Sequence, residues 1–270
     1  MNQKAIGVFD SGLGGLTAVR ELCRRLPHEN IVFFGDTGRV PYGSRSREVI
    51  RKYAAQDMRF LQNNDVKMII AACGTVSSTA ADLGNALPLP FTGVVIPASR
   101  AAVEASCSGR IGVIGTATTI ASGAYRHEIS RINPAAQVFE QSCPLFVPLV
   151  EGGFVGRDDA VTHMVAERYL ASLREHRIDT LILGCTHYPI IADIIRDVMG
   201  DSVRLIDTGA EAAREAERML VRLGLKNTSP QPGRCSFYVS DRVQGFASLG
   251  SLFLGREIDG EVLPVDVDTL

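Results

Sequence analysis

Leu181-Ile182-Leu183-Gly184-Cys185-Thr186-His187-Tyr188-Pro189 runs three apolar residues into a glycine, then a cysteine, a threonine and a histidine before a proline. A short apolar run bounded by turn residues reads as a buried strand. Pro189 and the apolar residues behind it read as the first turn of a helix. Cys185 and His187 therefore fall at the carboxyl end of a strand, where open α/β sheets place their ligands. Upstream, Met68-Ile69-Ile70-Ala71-Ala72-Cys73-Gly74-Thr75 repeats the arrangement: an apolar run, a small residue, a cysteine and, shortly after, a threonine. The two cysteines occupy matching settings.

Working outward from these two strands, the chain alternates strand and helix. Strands are expected at 5–9, 30–34, 91–96, 110–114, 136–140, 203–206 and 236–240, with helices at 16–26, 46–61, 158–176 and 210–223 and a last one reaching Leu254. In the 158–176 helix the apolar residues are Val161, Met164, Val165 and Leu173. Asp10-Ser11-Gly12-Leu13-Gly14-Gly15 is a glycine-rich turn, Val40-Pro41-Tyr42-Gly43 a loop, and 227–233 a Pro-rich polar loop. The alternation predicts parallel sheets covered by helices. Arg110-Ile111-Gly112-Val113-Ile114-Gly115-Thr116 resembles the opening strand and turn, so the chain is expected to hold two similar units. The tail beyond Leu254 is acidic and is expected to be loosely held.

Composition narrows the function classes. At 270 residues, 46% of them hydrophobic, the chain can bury one large core or two ordinary ones. A net charge of -2 gives no electrostatic reason to expect nucleic acid or an anionic membrane. No apolar run approaches the ~18 residues of a membrane span. Met1-Asn2-Gln3-Lys4-Ala5 leads straight into a strand with no signal-peptide core, so a cytoplasmic protein is expected. The six cysteines are far apart and none forms a Cys-x-x-Cys pair, so neither disulfides nor a metal site is expected.

Each of Cys73 and Cys185 sits where a strand gives way to a helix. Backbone N–H groups at a helix start favour an anion nearby and lower a thiol pKa. Asp10, ending the first strand, is placed to stand beside Cys73, and His187 is two residues from Cys185. A carboxylate and an imidazole can each shuttle protons to a thiol. Taken singly, Asp10 also reads as a helix cap or turn residue and His187 as a loop histidine bonded to backbone. Two thiols on opposite walls suit removal of a proton from one face of a carbon and its return to the other, which inverts a stereocentre. The hydroxyls of Ser11, Thr75, Thr116, Thr118 and Thr186 could hold the carboxylates of such a substrate.

Asp10 to Gly15, Pro41-Tyr42-Gly43, Cys73 with Thr75, Ile111 to Thr116, and Gly184 to Pro189 resemble, in the same order over residues 6–254, the motifs of the bacterial glutamate racemases. These belong to the cofactor-independent aspartate/glutamate racemase superfamily. The resemblance implies two α/β domains with the active site in the cleft between them. It implies a discontinuous first domain, 1–97 plus 208–270, and a second at 98–207. It also implies glutamate as substrate, D-glutamate supplied for peptidoglycan, no cofactor, and a homodimer. Cys73 and Cys185 become the proton donor and acceptor, assisted by Asp10 and His187. Asp10, Ser11, Tyr42, Gly43, Gly74, Thr75, Thr186 and His187 become the substrate contacts. Glu151 matches an acid near the second cysteine and would support His187. Gly74 stands where the family usually has Asn, Val76-Ser77-Ser78 where it commonly has smaller residues, and Ile96 where it usually has Glu. Aspartate or another amino acid is the alternative substrate within the superfamily.

Two readings from other classes compete. Gly12-Leu13-Gly14 lies between a strand and a helix, with Asp36 ending the next strand, as in dinucleotide-binding dehydrogenases. The third glycine of that fingerprint, however, falls on Thr17. A two-domain binding protein without catalysis would explain the paired units but not the paired cysteines.

Overall fold

The computed structural model describes residues 3–241, 243–258 and 261–270. Met1 and Asn2 of the expected lead-in and Asp259 and Gly260 of the acidic tail lie outside them. The strands are β1 (Ala5–Asp10), β2 (Ile31–Gly35), β3 (Val66–Ala71), β4 (Phe91–Gly93), β5 (Arg110–Gly115), β6 (Gln137–Ser142), β7 (Thr180–Leu183), β8 (Arg204–Asp207), β9 (Cys235–Val239) and β10 (Val262–Pro264). They form two sheets, ordered β10-β9-β2-β1-β3-β4 and β6-β5-β7-β8, and every pairing is parallel. Both faces are covered by helices, so the central strands are buried throughout. That is why they are written as unbroken apolar runs rather than as alternations.

The order of strands exposes the repeat. β2-β1-β3-β4 in one sheet and β6-β5-β7-β8 in the other follow the same rule: second, first, third, fourth. The likeness extends to single hydrogen bonds. Beyond β3, the Ala72 N–H donates to the carbonyl of Phe9 at 2.9 Å; beyond β7, the Gly184 N–H donates to Ile114 at 2.8 Å. Each of these residues is the last to reach the neighbouring first strand, and each is followed by the cysteine.

Helix packing holds the first sheet. Leu16–Arg25 buries Leu16, Val19 and Leu22 on one stripe, and Thr208–Arg222 buries Ala212, Ala213, Ala216 and Leu220. Gly209 lets the two approach closely: a Cβ there would stand 3.1 Å from the Ala18 Cα. A fully buried Leu or Val contributes about 1.5–3 kcal/mol.

Three expectations change. Residues 91–96 do not stay extended, because β4 ends at Gly93 and a helix runs from Val95 to Ala105 with Pro97 in its first turn. Proline is tolerated there because that N–H has no helical acceptor. In the helix Ala160–Glu175 the buried stripe is Thr162, Ala166, Leu170 and Leu173, while Val161 and Met164 face solvent. The tail is also partly fixed: Val262–Pro264 adds a parallel edge strand beside β9. Among the described residues no helix is long and apolar enough to cross a membrane.

Candidate active site

Cys73 and Cys185 line one cavity of about 460 Å³. Its walls come from both halves: Ser11 and Gly12 after β1, the loop at Val40–Ser44, Thr75, Thr116 after β5, the Pro144–Glu151 segment, and Gly184 to His187. Both thiols are nearly buried, at 6% and 7% exposure. The repeat explains the placement, because each cysteine is the second residue past the end of a third strand, and the two sheets turn those ends toward a common space.

The surroundings of the two thiols differ. Cys73 Sγ lies 3.4 Å from Ser11 Oγ. Burial, reinforced by the Asp10 carboxylate, pushes the Cys73 thiol up to about 12. Asp10 is itself buried, and its Oδ2 accepts the Gly12 N–H at 3.0 Å. Burial raises its pKa, opposed by His187 and by the N–H groups of Gly12, Gly15 and Ser11. Asp10 thus closes the turn and sits electrostatically beside Cys73 at once.

Cys185 faces an imidazole. Its Sγ lies 3.9 Å from His187 Nδ1, and His187 Nε2 lies 3.0 Å from Glu151 Oε1. Burial alone would lower the His187 pKa, but hydrogen bonds to Cys185 and Glu151 outweigh it and hold the ring at about 10. His187 is therefore an imidazolium at neutral pH. Phe253 packs edge-on against it, ring centroids 4.9 Å apart.

The other residues marked by the sequence fall as follows. Thr75, Thr116 and Thr119 form a hydroxyl triangle across the cleft, with contacts of 3.0, 3.4 and 2.9 Å. Thr118 donates to the Gly43 carbonyl at 2.8 Å, tying the loop of one half to the other. Thr186 lies in the cavity wall, and its carbonyl accepts from Thr17 Oγ1 at 3.2 Å. Tyr42 also lines the cavity, but its hydroxyl turns inward and donates to Asp36 and, at 3.2 Å, to Asp57. Arg39 reaches both carboxylates as well. Tyr42 therefore offers its ring and backbone to the cavity.

Gly74 lies where the two halves approach closely. A Cβ on it would stand 2.1 Å from the Gly184 carbonyl oxygen. The side-chain amide expected from the resemblance would have to displace backbone to fit here.

Thr119, Phe253 and the Arg39–Asp57 pair were not marked by the sequence reading. They reach the site from helices and loops whose motifs carry no distinctive pattern, and only Thr119 had a visible cue, as the third of three threonines after β5. The structure also removes the dinucleotide reading. A Cβ on Gly14 would meet Thr186 Oγ1 at 2.2 Å, so the space before the helix Leu16–Arg25 is filled by the other half. Asp36 is fully buried and committed to Arg39 and Tyr42 rather than open to a ribose. Among the described residues no cluster of three or more His, Cys, Asp or Glu could hold a metal ion.

Comparison with known proteins agrees with this architecture. Residues 10–216 match the profile of the Asp/Glu/hydantoin racemases. A glutamate racemase of Geobacter metallireducens is 43% identical over 269 residues, covering 99% of this chain and 98% of that one. The glutamate racemase of Chlorobaculum tepidum is 47% identical over 255 residues, covering 94% and 93%. The crystal structure of Francisella tularensis glutamate racemase in complex with D-glutamate superposes with a TM-score of 0.92 at 39% identity, covering both chains fully. With its two parallel sheets, its shared cleft and these matches over most of its length, the chain belongs to the Asp/Glu/hydantoin racemase family.

Proposed function

We propose that the chain interconverts L- and D-glutamate, with Cys73 and Cys185 working from opposite faces of the α-carbon. The observation that carries this reading is the pair of thiols at equivalent strand ends in one cavity. In one direction the thiolate of one cysteine takes the α-proton. The Cα–H bond breaks and its electron pair delocalises toward the carboxylate. The other cysteine, as a thiol, then delivers its proton to the opposite face. The two sulfurs end with their protonation exchanged, so product of one hand leaves an enzyme set for the reverse direction.

The electrostatics suit an unequal resting state. Cys73, held as a thiol by burial and Asp10, starts as the donor. Cys185 is its partner across the substrate, with His187 Nδ1 3.9 Å from its sulfur and placed to offset negative charge there. When roles reverse, Asp10 accepts the proton that Cys73 must lose. Ser11, Thr75, Thr116 and Thr186 supply hydroxyls to the substrate carboxylates, strengthening as charge builds in the transition state. The glutamate assignment rests on the relatives, whose names specify it and one of which was solved with D-glutamate. D-glutamate made in this way would serve peptidoglycan synthesis.

The test incubates L-glutamate with the enzyme in heavy water and follows optical rotation and deuterium at C2 together. Rotation should decay to zero while deuterium enters C2 of the inverted product. L-aspartate run in parallel should change far more slowly. Loss of rotation without label, or equal turnover of aspartate, would overturn the assignment.

A further inference from the structure

Away from the cleft, a second pair of thiols is in contact. Cys23, in the last turns of the helix Leu16–Arg25, and Cys235, the first residue of β9, place their sulfurs 3.6 Å apart. Among the described residues no other two thiols are in contact, and neither of these lines the cavity. Both are half-buried, so a small reagent can reach them without unfolding. The Arg256 guanidinium lies against the pair, with Nη2 3.9 Å from Cys235 Sγ.

We propose that Cys23 and Cys235 form a dithiol site for hydroperoxides, which oxidise it reversibly to an intramolecular disulfide. The reaction requires one thiolate, one neighbouring thiol, and a cation to favour the charge. Each is present. The hydrogen bond from Cys235 lowers Cys23 to about 7, and Arg256 adds to this against the opposing effect of burial; Cys235 is shifted upward and keeps its proton. Cys23 thiolate attacks one peroxide oxygen, the O–O bond breaks, and hydroxide leaves with the electron pair. Cys235 sulfur then attacks the resulting sulfenic sulfur. The S–O bond breaks, and its oxygen, already bearing one hydrogen, departs as water with the proton from Cys235, while the first hydroxide regains through solvent the proton that Cys23 released on forming its thiolate. Two thiols lose two electrons, and the peroxide is reduced to two waters. The new bond links positions separated by 212 residues, joining the helix Leu16–Arg25 to the strand that extends the first sheet. A cross-link spanning so long a loop constrains the unfolded chain strongly.

The test treats the reduced, folded full-length chain with one equivalent of hydrogen peroxide, traps remaining thiols with N-ethylmaleimide, and maps non-reduced peptides by mass. The expected product is a peptide pair joined through Cys23 and Cys235, two mass units below the sum of its parts and released by dithiothreitol. The melting temperature of the oxidised protein should rise. Cys23→Ser and Cys235→Ser should each melt like the reduced wild type and show neither the link nor the rise. Recovery of both residues as maleimide adducts while Cys73 or Cys107 oxidises would overturn the proposal. So would a link between two chains rather than within one.

Discussion

The two walls of the cleft are copies in backbone but set different groups beside their thiols. Cys73 and Cys185 each follow a third strand, and each is preceded by the residue that donates the last hydrogen bond to the first strand. By the same register, Asp10 at the end of β1 corresponds to Gly115 at the end of β5. Here the copies part. The first wall sets a buried carboxylate beside its thiol, and the second has no side chain at that position. It uses His187 and Glu151 instead, brought in from the far side of the cysteine. The repeat places the two sulfurs alike, while the side chains around them differ: Asp10 beside Cys73, and His187 with Glu151 beside Cys185.

The largest effect should come from removing either sulfur. Cys73→Ala and Cys185→Ala should each lower racemisation by about 10²- to 10⁴-fold, the range of a directly acting acid or base. Polarimetry in both directions measures it. If the walls are true partners, each variant fails in both directions. A variant retaining more than a tenth of the activity would break the pairing.

Sequence carried the positions better than the partnerships. The apolar runs ending at Ala72 and Gly184 were visible because strands buried on both faces cannot hide among polar residues. Asp10, Cys73, Cys185 and His187 were marked because each sits at the end of such a run. Glu151 was named only through the resemblance, since nothing in Val150-Glu151-Gly152-Gly153 points toward a residue 36 positions away. Tyr42 illustrates a second limit. Its place on the cavity came through the resemblance, since its own stretch reads only as a loop, and the inward turn of its hydroxyl depends on Asp36 and Asp57, which only the fold brings together. Val94 to Ile96 was misjudged for a related reason: β-branched residues favour strands, yet packing against the second sheet drew them into a helix.

Asp10→Asn should sharpen the contrast between the walls. Activity should fall about 10²-fold, because the first wall loses the carboxylate beside its thiol. Stability should move the other way. The folded-state pKa of Asp10 is raised, so burial favours its protonated form. Its contribution to stability is therefore greatest below the ordinary carboxylate range and declines as pH rises through the raised value. The variant should melt higher than wild type at neutral pH, with the gap closing on acidification. Thermal melts between pH 4 and 8 would show it, and a variant that melts lower at pH 7 would refute it.

Gly74→Ala tests where the walls touch. The added Cβ meets a backbone oxygen, which cannot swing aside as a side chain would. Overpacking of this kind costs about 1–3 kcal/mol. It can be relieved by parting the two halves, so kcat should fall about tenfold and small-angle scattering should report a slightly larger radius. Unchanged kinetics would mean that the approach of Gly74 to Gly184 plays no part in turnover.

The smallest effect, and the finest probe of the second wall, is Glu151→Gln. Glu151 is nearly half exposed, with its side chain at 44%, so water replaces part of what the substitution removes. Activity should drop only a few-fold. The informative quantity is the titration of His187. Its raised value means that its contribution to stability is complete below about 6.5 and is lost as pH climbs toward about 10. Cys185 raises it more than Glu151 does, and burial works against both. Removing Glu151 should therefore lower the midpoint of the imidazole resonance in a pH series of NMR spectra, and removing Cys185 should lower it further. If the two shifts came in the reverse order, His187 would belong to the carboxylate more than to the thiol, and the second wall would lack the cation that sets it apart from the first.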